Sequence, residues 1–472
     1  MPRASRPTFL GPCTNCASRV PPNSCAAFNH LNANLYRQAA FRRPAELSQL
    51  DLAVDRVVES FIESLRLLRQ TNVYSSSECT KALSALFDFC ITGIYTNNLI
   101  DAEGEFQQKA VRCGSLAATF PYTWMCPICV AQWIEPVSGD GTSTMSPANK
   151  PLSAMYLPGS SRKKQNGVTR DFPNVDLLAK PGGRAIGDHG ILVIRSILRR
   201  LLSTTGTSPE PRLRDGGGAR GEFDLTIATE DLIAFVEVKA KPLISYPLVL
   251  NLKPEVAISD NNHQWSNVTL SECVSASILL GASHQLLPVK LPCPDAAPTW
   301  PLEDLAELAS SPDIVKQICS NWFKQANSYE ESFGDEHANI RWHRFGCGNF
   351  TAMENGERIE KRVANTKELP GLDRTDDIKK GAAQVLKYSR LKFNCSTHAL
   401  KSVLLGNTHA LTHHKDYVEP ILHLKVLSAS PNQAAQSSAA AEWIFDAMIG
   451  LTKNHFNDDS LAKLLNFERL FD

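Results

Sequence analysis

The run GEFDLTIATEDLIAFVEVKAKPL, residues 221–243, constrains this 472-residue chain more than any other segment. Residues from Glu222 to Ala228 alternate as a strand, with Phe223, Leu225 and Ile227 on one face and Asp224 and Thr226 on the other. Residues from Leu232 to Ala240, rich in β-branched and aromatic side chains, predict a second strand. In it Glu237 and Lys239 share a face, and Val236 and Val238 take the opposite one. The polar Thr229-Glu230-Asp231 suits the turn. A hairpin centred between Glu230 and Asp231 sets Asp224 opposite Glu237, with Cβ atoms about 4.5–5.5 Å apart. A slip of one residue would send the two carboxylates to opposite faces, so the register is a definite expectation.

Two carboxylates at that separation can share one hard cation through oxygen ligands, which suits Mg²⁺. A cation so held binds a phosphate oxygen and lowers the pKa of a bound water. Lys239 would add a positive charge beside the attacking water or the developing anion. A Glu-x-Lys tripeptide carries no weight alone. Here it ends a strongly apolar strand, with an aspartate at matching distance and parity.

Asp224, Glu237 and Lys239 resemble the motif of the PD-(D/E)XK nuclease superfamily. The resemblance implies a restriction-endonuclease-like core, an α/β (α+β) fold with a mixed sheet flanked by helices. It also implies a Mg²⁺-dependent site on two adjacent strands. The family's usual proline before the first acidic residue is absent, and Phe223 stands there.

Two flanking segments are similar to family elements. Upstream, GDHGILVIRSILRRLL reads as a helix with an apolar stripe at Ile191, Ile194, Ile197 or Leu198, and Leu201, and with Arg195, Arg199 and Arg200 to the side. The family often places a glutamate or histidine of this helix near the metal. Asp188 and His189 are the candidates here, and both also read as helix-start residues, with Asp188 as a cap. Downstream, TDDIKKGAAQVLKYSRLKF predicts a helix capped by Thr375. Its Gln384 and Tyr388 share a face and resemble the Q-x-x-x-Y element of RecB-type nucleases, which lies beside the lysine and the DNA backbone. LKSVLLGN and EPILHLKVL read as further strands.

A chain that is 43% hydrophobic and this long predicts two or three globular domains. No run of eighteen apolar residues predicts a membrane span, and the N-terminus lacks the apolar core of a signal peptide. The expected location is therefore the cytoplasm. Basic and acidic residues balance at 49 each, which disfavours a nonspecific nucleic-acid coat and fits a local cleft. Basic clusters occur at Arg162-Lys163-Lys164, along the Arg195/Arg199/Arg200 helix side and at Lys379-Lys380.

Thirteen cysteines without an export signal point to metal ligands or buried thiols rather than disulfides. Cys13 and Cys16, with Cys126 and Cys129, form two CxxC pairs that can complete a closed four-thiolate site for structural Zn²⁺. Cys25 and Cys113 could substitute. A helical insertion would explain the long separation, because residues 46–69 and ECTKALSALFDFCITGIY are both helical in pattern.

The expected organisation is an N-terminal helical region over 1–140 with the zinc site, a linker over 141–169, and a nuclease core over 170–472 with an accessory insertion at about 250–370. Asn262, His263, Gln264, Arg341, His343 and Arg344 of that insertion have donor chemistry suited to base edges. The Ser/Ala-rich segment near residue 435 reads as a loop entering a final helix. His409, His413 and His414 read as solvent-facing. Neither a Walker A loop nor a G-x-G-x-x-G follows a strand, which disfavours an ATP-driven enzyme.

The expectation is a type II restriction endonuclease of a bacterial cell, a homodimer cutting both strands of double-stranded DNA at a short site. Asp224, Glu237 and the Val238 carbonyl would hold Mg²⁺ and Lys239 would activate water. A DNA methyltransferase of the same system would protect the host. A repair, recombination or transposon-associated nuclease of the same fold, or an inactive zinc-clamped DNA-binding module, are the other readings the residues leave open.

Overall fold

In a computed structural model, the described residues are 48–97, 110–113, 116–119, 164–165, 168–169, 183–216, 223–244, 246, 248–252, 264–266, 273–280, 285–291, 299–332, 350–354, 357–361, 370–373, 375–389, 399–411, 413–427 and 441–472. The fold is mixed α/β. Its centre is a six-stranded sheet made of β1 (Arg212–Asp215), β2 (Leu225–Ala228), β3 (Leu232–Val238), β4 (Ala399–Gly406), β5 (Ala447–Gly450) and β6 (Lys453–Phe456). These strands lie side by side in chain order. β1, β2 and β3 form an antiparallel meander, β4 runs parallel to β3, β5 runs parallel to β4, and β6 turns back antiparallel.

Every residue of β3 is buried, as expected for an interior strand with a parallel neighbour. Alternation then divides the sheet into two faces. Leu225, Ile227, Val236, Val238, Val403, Leu405 and Ile449 join the larger core, with the helix Gly183–Ser203. Leu404 and Met448 take the opposite face and pack with Ile378 and Val385 of the helix Thr375–Ser389.

The larger core is built by helices α1 (Gln49–Gln70), α2 (Ser76–Asn97), α3 (Gly183–Ser203), α4 (Leu302–Ala309) and α5 (Pro312–Ser332). Ser48 opens α1 with a capping box, in which Asp51 N–H donates to Ser48 Oγ (3.1 Å) and Ser48 N–H to Asp51 Oδ2 (2.9 Å). Val54, Val57, Val58, Phe61, Ile62 and Leu65 then recur at helical spacing and are buried. α2 is apolar around most of its circumference, and Leu83, Leu86, Phe87, Phe89, Cys90, Ile91 and Ile94 are all fully buried, so it runs through the interior. α6 (Thr375–Ser389) connects to β4 and packs on β3 and β4. Gly381 permits this approach, because a Cβ there would lie 2.7 Å from the Leu404 side chain.

Several expectations are corrected. The two N-terminal helices share one core with α3 and the sheet. Ala110–Cys113 and Leu116–Thr119, inside the stretch expected to be helical, are strands. They pair with Gln264–Ser266 and Leu248–Leu252 in a second, antiparallel six-stranded sheet, so the N-terminal region and the 250–370 insertion build one unit together. EPILHLKVL is not a strand throughout: Glu419–Leu422 is one helical turn, led by a π-helical turn, and only Lys425–Leu427 is extended. Ala441–Trp443 is a strand instead of the start of a final helix. α3 begins at Gly183, so Asp188 lies inside the helix rather than at its N-cap position. No helix among the described residues is long and apolar enough to cross a membrane.

Candidate active site

Asp224 stands one residue before β2, and Glu237 near the end of the neighbouring β3. The register Leu225↔Val236, Thr226↔Phe235 and Ile227↔Ala234 is the one the hairpin pattern predicts. Continuing it by one pair sets Asp224 across from Glu237. The ladder itself is broken at that pair. Asp224 N–H donates to the Val236 carbonyl (3.2 Å), and Asp224 Oδ2 accepts from Val238 N–H (2.7 Å). The aspartate carboxylate thereby serves the backbone just before Lys239. Phe223 departs from the expected alternation and stacks on Phe235 with ring centroids 4.8 Å apart, because regular β2 begins only at Leu225.

Glu237 is 6% exposed and forms an ion pair with Lys239 Nζ. The same ammonium lies 3.3 Å from the Val238 carbonyl. Lys239 stands one residue beyond β3, shorter than the expected strand to Ala240, and its N–H donates to the Leu405 carbonyl of β4 (2.7 Å). Glu237 Oε1 and the Val238 oxygen therefore converge on one positively charged atom. Asp224 comes to the same corner from β2. Its carboxyl is held above the usual aspartate range by burial, a shift that the Lys239 charge and the Val238 N–H partly offset.

α3 brings a third acidic residue close. Asp188 adds to the upward pressure on the Asp224 pKa, so its charge is felt there. Burial lowers the pKa of the adjacent His189, against a smaller upward pull from Asp188. Gly190 makes this placement possible, since a Cβ there would lie 3.0 Å from the Ala240 carbonyl. A glycine inside a helix of bulky residues was the sequence signal for this close approach.

The strand beyond Lys239 is anchored from three directions. Lys241 N–H donates to Asn407 Oδ1 (2.8 Å), and Gly371 N–H to the Lys241 carbonyl (3.1 Å). Gly371, at φ +45°, could not be replaced without strain; a Cβ there would lie 2.2 Å from Thr408 Oγ1. Fully buried Asp88 of α2 accepts from Leu243 N–H (3.0 Å), Ile244 N–H (2.8 Å) and Trp322 Nε1–H (2.8 Å). Sequence reasoning missed Asp88 and Asn407, because nothing local marks a long-range partner.

Gln384 is half-buried on α6, one turn after Gly381, whose position presses on Leu404, the strand neighbour of Glu237. The Tyr388 side chain lies outside the described residues, as do Cys13, Cys16, Cys126 and Cys129 of the expected zinc site and Asn262, His263, Arg341, His343 and Arg344. Cys79, Cys90 and Cys319 are buried free thiols.

Two expectations about polar surfaces change. The Arg195/Arg199/Arg200 side of α3 faces protein. Arg195 pairs with Asp51 and Asp215, Arg199 with Asp55, and Arg200 with Glu59 and Glu63, so an acidic stripe on α1 neutralises it. The three histidines are half-buried. His413 Nδ1 lies 3.2 Å from the buried Asp373 carboxylate, His409 Nδ1 bonds Thr452 Oγ1, and His414 sits beside Lys453.

Among the described residues, no three His, Cys, Asp or Glu side chains converge as a complete metal site. The donor set at this corner is two carboxylates and a carbonyl. These hard oxygen atoms suit Mg²⁺, with water filling the remaining positions. Comparison of the chain with protein-family models, with curated proteins and with solved structures gave no match.

Proposed function

We propose that this protein is a Mg²⁺-dependent endodeoxyribonuclease of the PD-(D/E)XK kind that hydrolyses phosphodiester bonds in double-stranded DNA. One observation carries the reading. Asp224 stands one residue before β2 and Glu237 near the end of the adjacent antiparallel β3, with Lys239 two residues beyond Glu237 and paired to it. The surrounding order supports it: a helix, an antiparallel three-stranded meander, a helix, and a strand parallel to the third. The resemblance carries the expectation of a mixed sheet flanked by helices, with the site on two adjacent strands.

Asp224, Glu237 and the Val238 carbonyl would hold the cation, with Asp188 or His189 placed to add a ligand through water. Mg²⁺ bound there would supply Lewis-acid stabilisation of the phosphate charge and a water of lowered pKa. The residues supply the rest. Asp224 must lose its proton to act as a ligand, which its burial opposes. Lys239, paired with Glu237 here, would supply its ammonium to the attacking water or the developing phosphate charge when Glu237 serves as a ligand. The Lys239 N–H donates to the Leu405 carbonyl, which holds its backbone against β4.

Within this class we favour a type II restriction endonuclease acting as a homodimer, whose bipartite symmetry would match cuts on both strands. The large second sheet supports an accessory recognition role beyond the catalytic core. Digestion of long unmethylated DNA tests both levels: discrete fragments support site-specific cutting, and a smear would point to a repair or degradative nuclease instead.

A further inference from the structure

The row of paired residues that contains Glu237 continues across the sheet. Glu237 pairs with Leu404, Leu404 with Met448, and Met448 with His455. His455 therefore stands on the same sheet face as Glu237, three strands away, about 14 Å at the usual spacing of strands. There it lines a cavity of about 210 Å³ with His409, His414, His423 and Lys453. Met448 and Leu422 contribute an apolar side, and Glu419 is the one carboxylate of the lining among the described residues.

We propose that this cavity is an oxyanion site that holds a backbone phosphate of the DNA strand cut at Asp224 and Glu237. The proposal rests on the nuclease reading above and extends it by a second point of contact. A spacing of about 14 Å equals the rise of roughly four base-pair steps along a duplex axis, at about 3.4 Å each.

The chemistry favours an anion over a metal. Lys453 Nζ lies 3.4 Å from His414 Nε2, so a cation entering here meets a positive charge. The imidazoles do not gather into a coordination shell among the described residues. Two rings are fixed by neighbours: His409 by Thr452 Oγ1, and His455 by Asn457 Oδ1 at 3.1 Å. His423 packs edge-on against His455, with centroids 5.0 Å apart. His414 Nδ1 is buried with no hydrogen-bond partner among the described residues, a polar atom that an entering oxyanion would satisfy. The His409 pKa is pushed down to about 4 by burial first, then by Lys453 and His414. An anion between these groups would relieve that repulsion.

The test uses full-length Asp224→Asn protein, in which cleavage is blocked. Duplex affinity is measured across a salt series for this parent and for parent carrying Lys453→Gln or His414→Gln. Binding of inorganic phosphate is measured in parallel by calorimetry. Lys453 is exposed on the turn into β6, so Lys453→Gln is expected to retain the parent's thermal midpoint. The expected result is on the order of tenfold weaker duplex binding, a salt slope smaller by about one, and loss of the phosphate heat. Unchanged duplex affinity and slope in both variants would overturn the proposal. If phosphate binding alone were lost, the ligand would be a small phosphorylated molecule and the backbone assignment would fall. A parent that binds no duplex at all would overturn the nuclease reading, and the phosphate titration would then judge the cavity by itself.

Discussion

Lys239 Nζ rests on the Glu237 carboxylate and within 3.3 Å of the Val238 carbonyl, so one ammonium joins two of the oxygens assigned to the metal. The lysine and the proposed cation thus draw on the same donors. Lys239→Ala is expected to lower the cleavage rate by about 10²–10⁴-fold, the range of a positioned acid–base or electrostatic group. Lys239→Arg should not restore it, because a planar guanidinium cannot replace a compact ammonium at this corner. Single-turnover cleavage checks both variants.

Asp224 is held in a setting that disfavours its charge. A carboxyl whose folded pKa is raised stabilises the fold most below its unfolded value and loses that contribution as pH rises through the folded value. Ionising Asp224 is therefore a net cost to the free protein. Asp224→Asn keeps an oxygen acceptor for Val238 N–H and removes the charge. It should raise the thermal midpoint at pH 7 by a few degrees, about 1 kcal/mol of stability, while abolishing cleavage. A lower midpoint at pH 7 would contradict this account of the site.

The same pKa shift sets the acid limb of activity. Since Asp224 must ionise to bind metal, kcat/KM should fall as pH drops through a value above the ordinary aspartate range. Asp188→Asn removes a neighbouring negative charge and should move that limb to lower pH. A pH–rate profile of both proteins reads the direction.

Asp88 binds two backbone N–H groups and one indole N–H in a fully buried position. Asp88→Ala leaves those donors unpaired and is expected to cost about 3–5 kcal/mol. Urea unfolding would register it; a loss under 1 kcal/mol would show that the network is not what anchors the chain after Lys239. By contrast, Arg199→Ala breaks a half-exposed pair with Asp55 and should cost about 1 kcal/mol or less. It should leave duplex affinity and its salt slope unaltered, because this side of α3 faces α1.

The hairpin register was legible because its signals are local: alternating apolar residues, a polar turn and a carboxylate at matching parity on each strand. Helices α1, α2, α3 and α6 were legible for the same reason, through stripes such as Val54, Val57, Phe61 and Leu65. What escaped depends on distant partners. Arg195 looks like a nucleic-acid contact until Asp51, 144 residues away, closes on it. His409 looks exposed until β5 and β6 wall it in. Ala110–Cys113 and Leu116–Thr119 carry little alternation, and beyond each other their partners are Gln264–Ser266 and Leu248–Leu252, far along the chain. Asp188 reads as a cap because the glycines before it hide five further helical residues.

The central claim is that Asp224, Glu237 and Lys239 form a metal-dependent cleavage site. The most direct test is digestion of long unmethylated DNA with Mg²⁺ by wild-type and Lys239→Ala protein, side by side. The account predicts discrete fragments with the wild type and intact DNA with the variant. DNA left intact by the wild type across several substrates and divalent metals, or cut equally by Lys239→Ala, would contradict it.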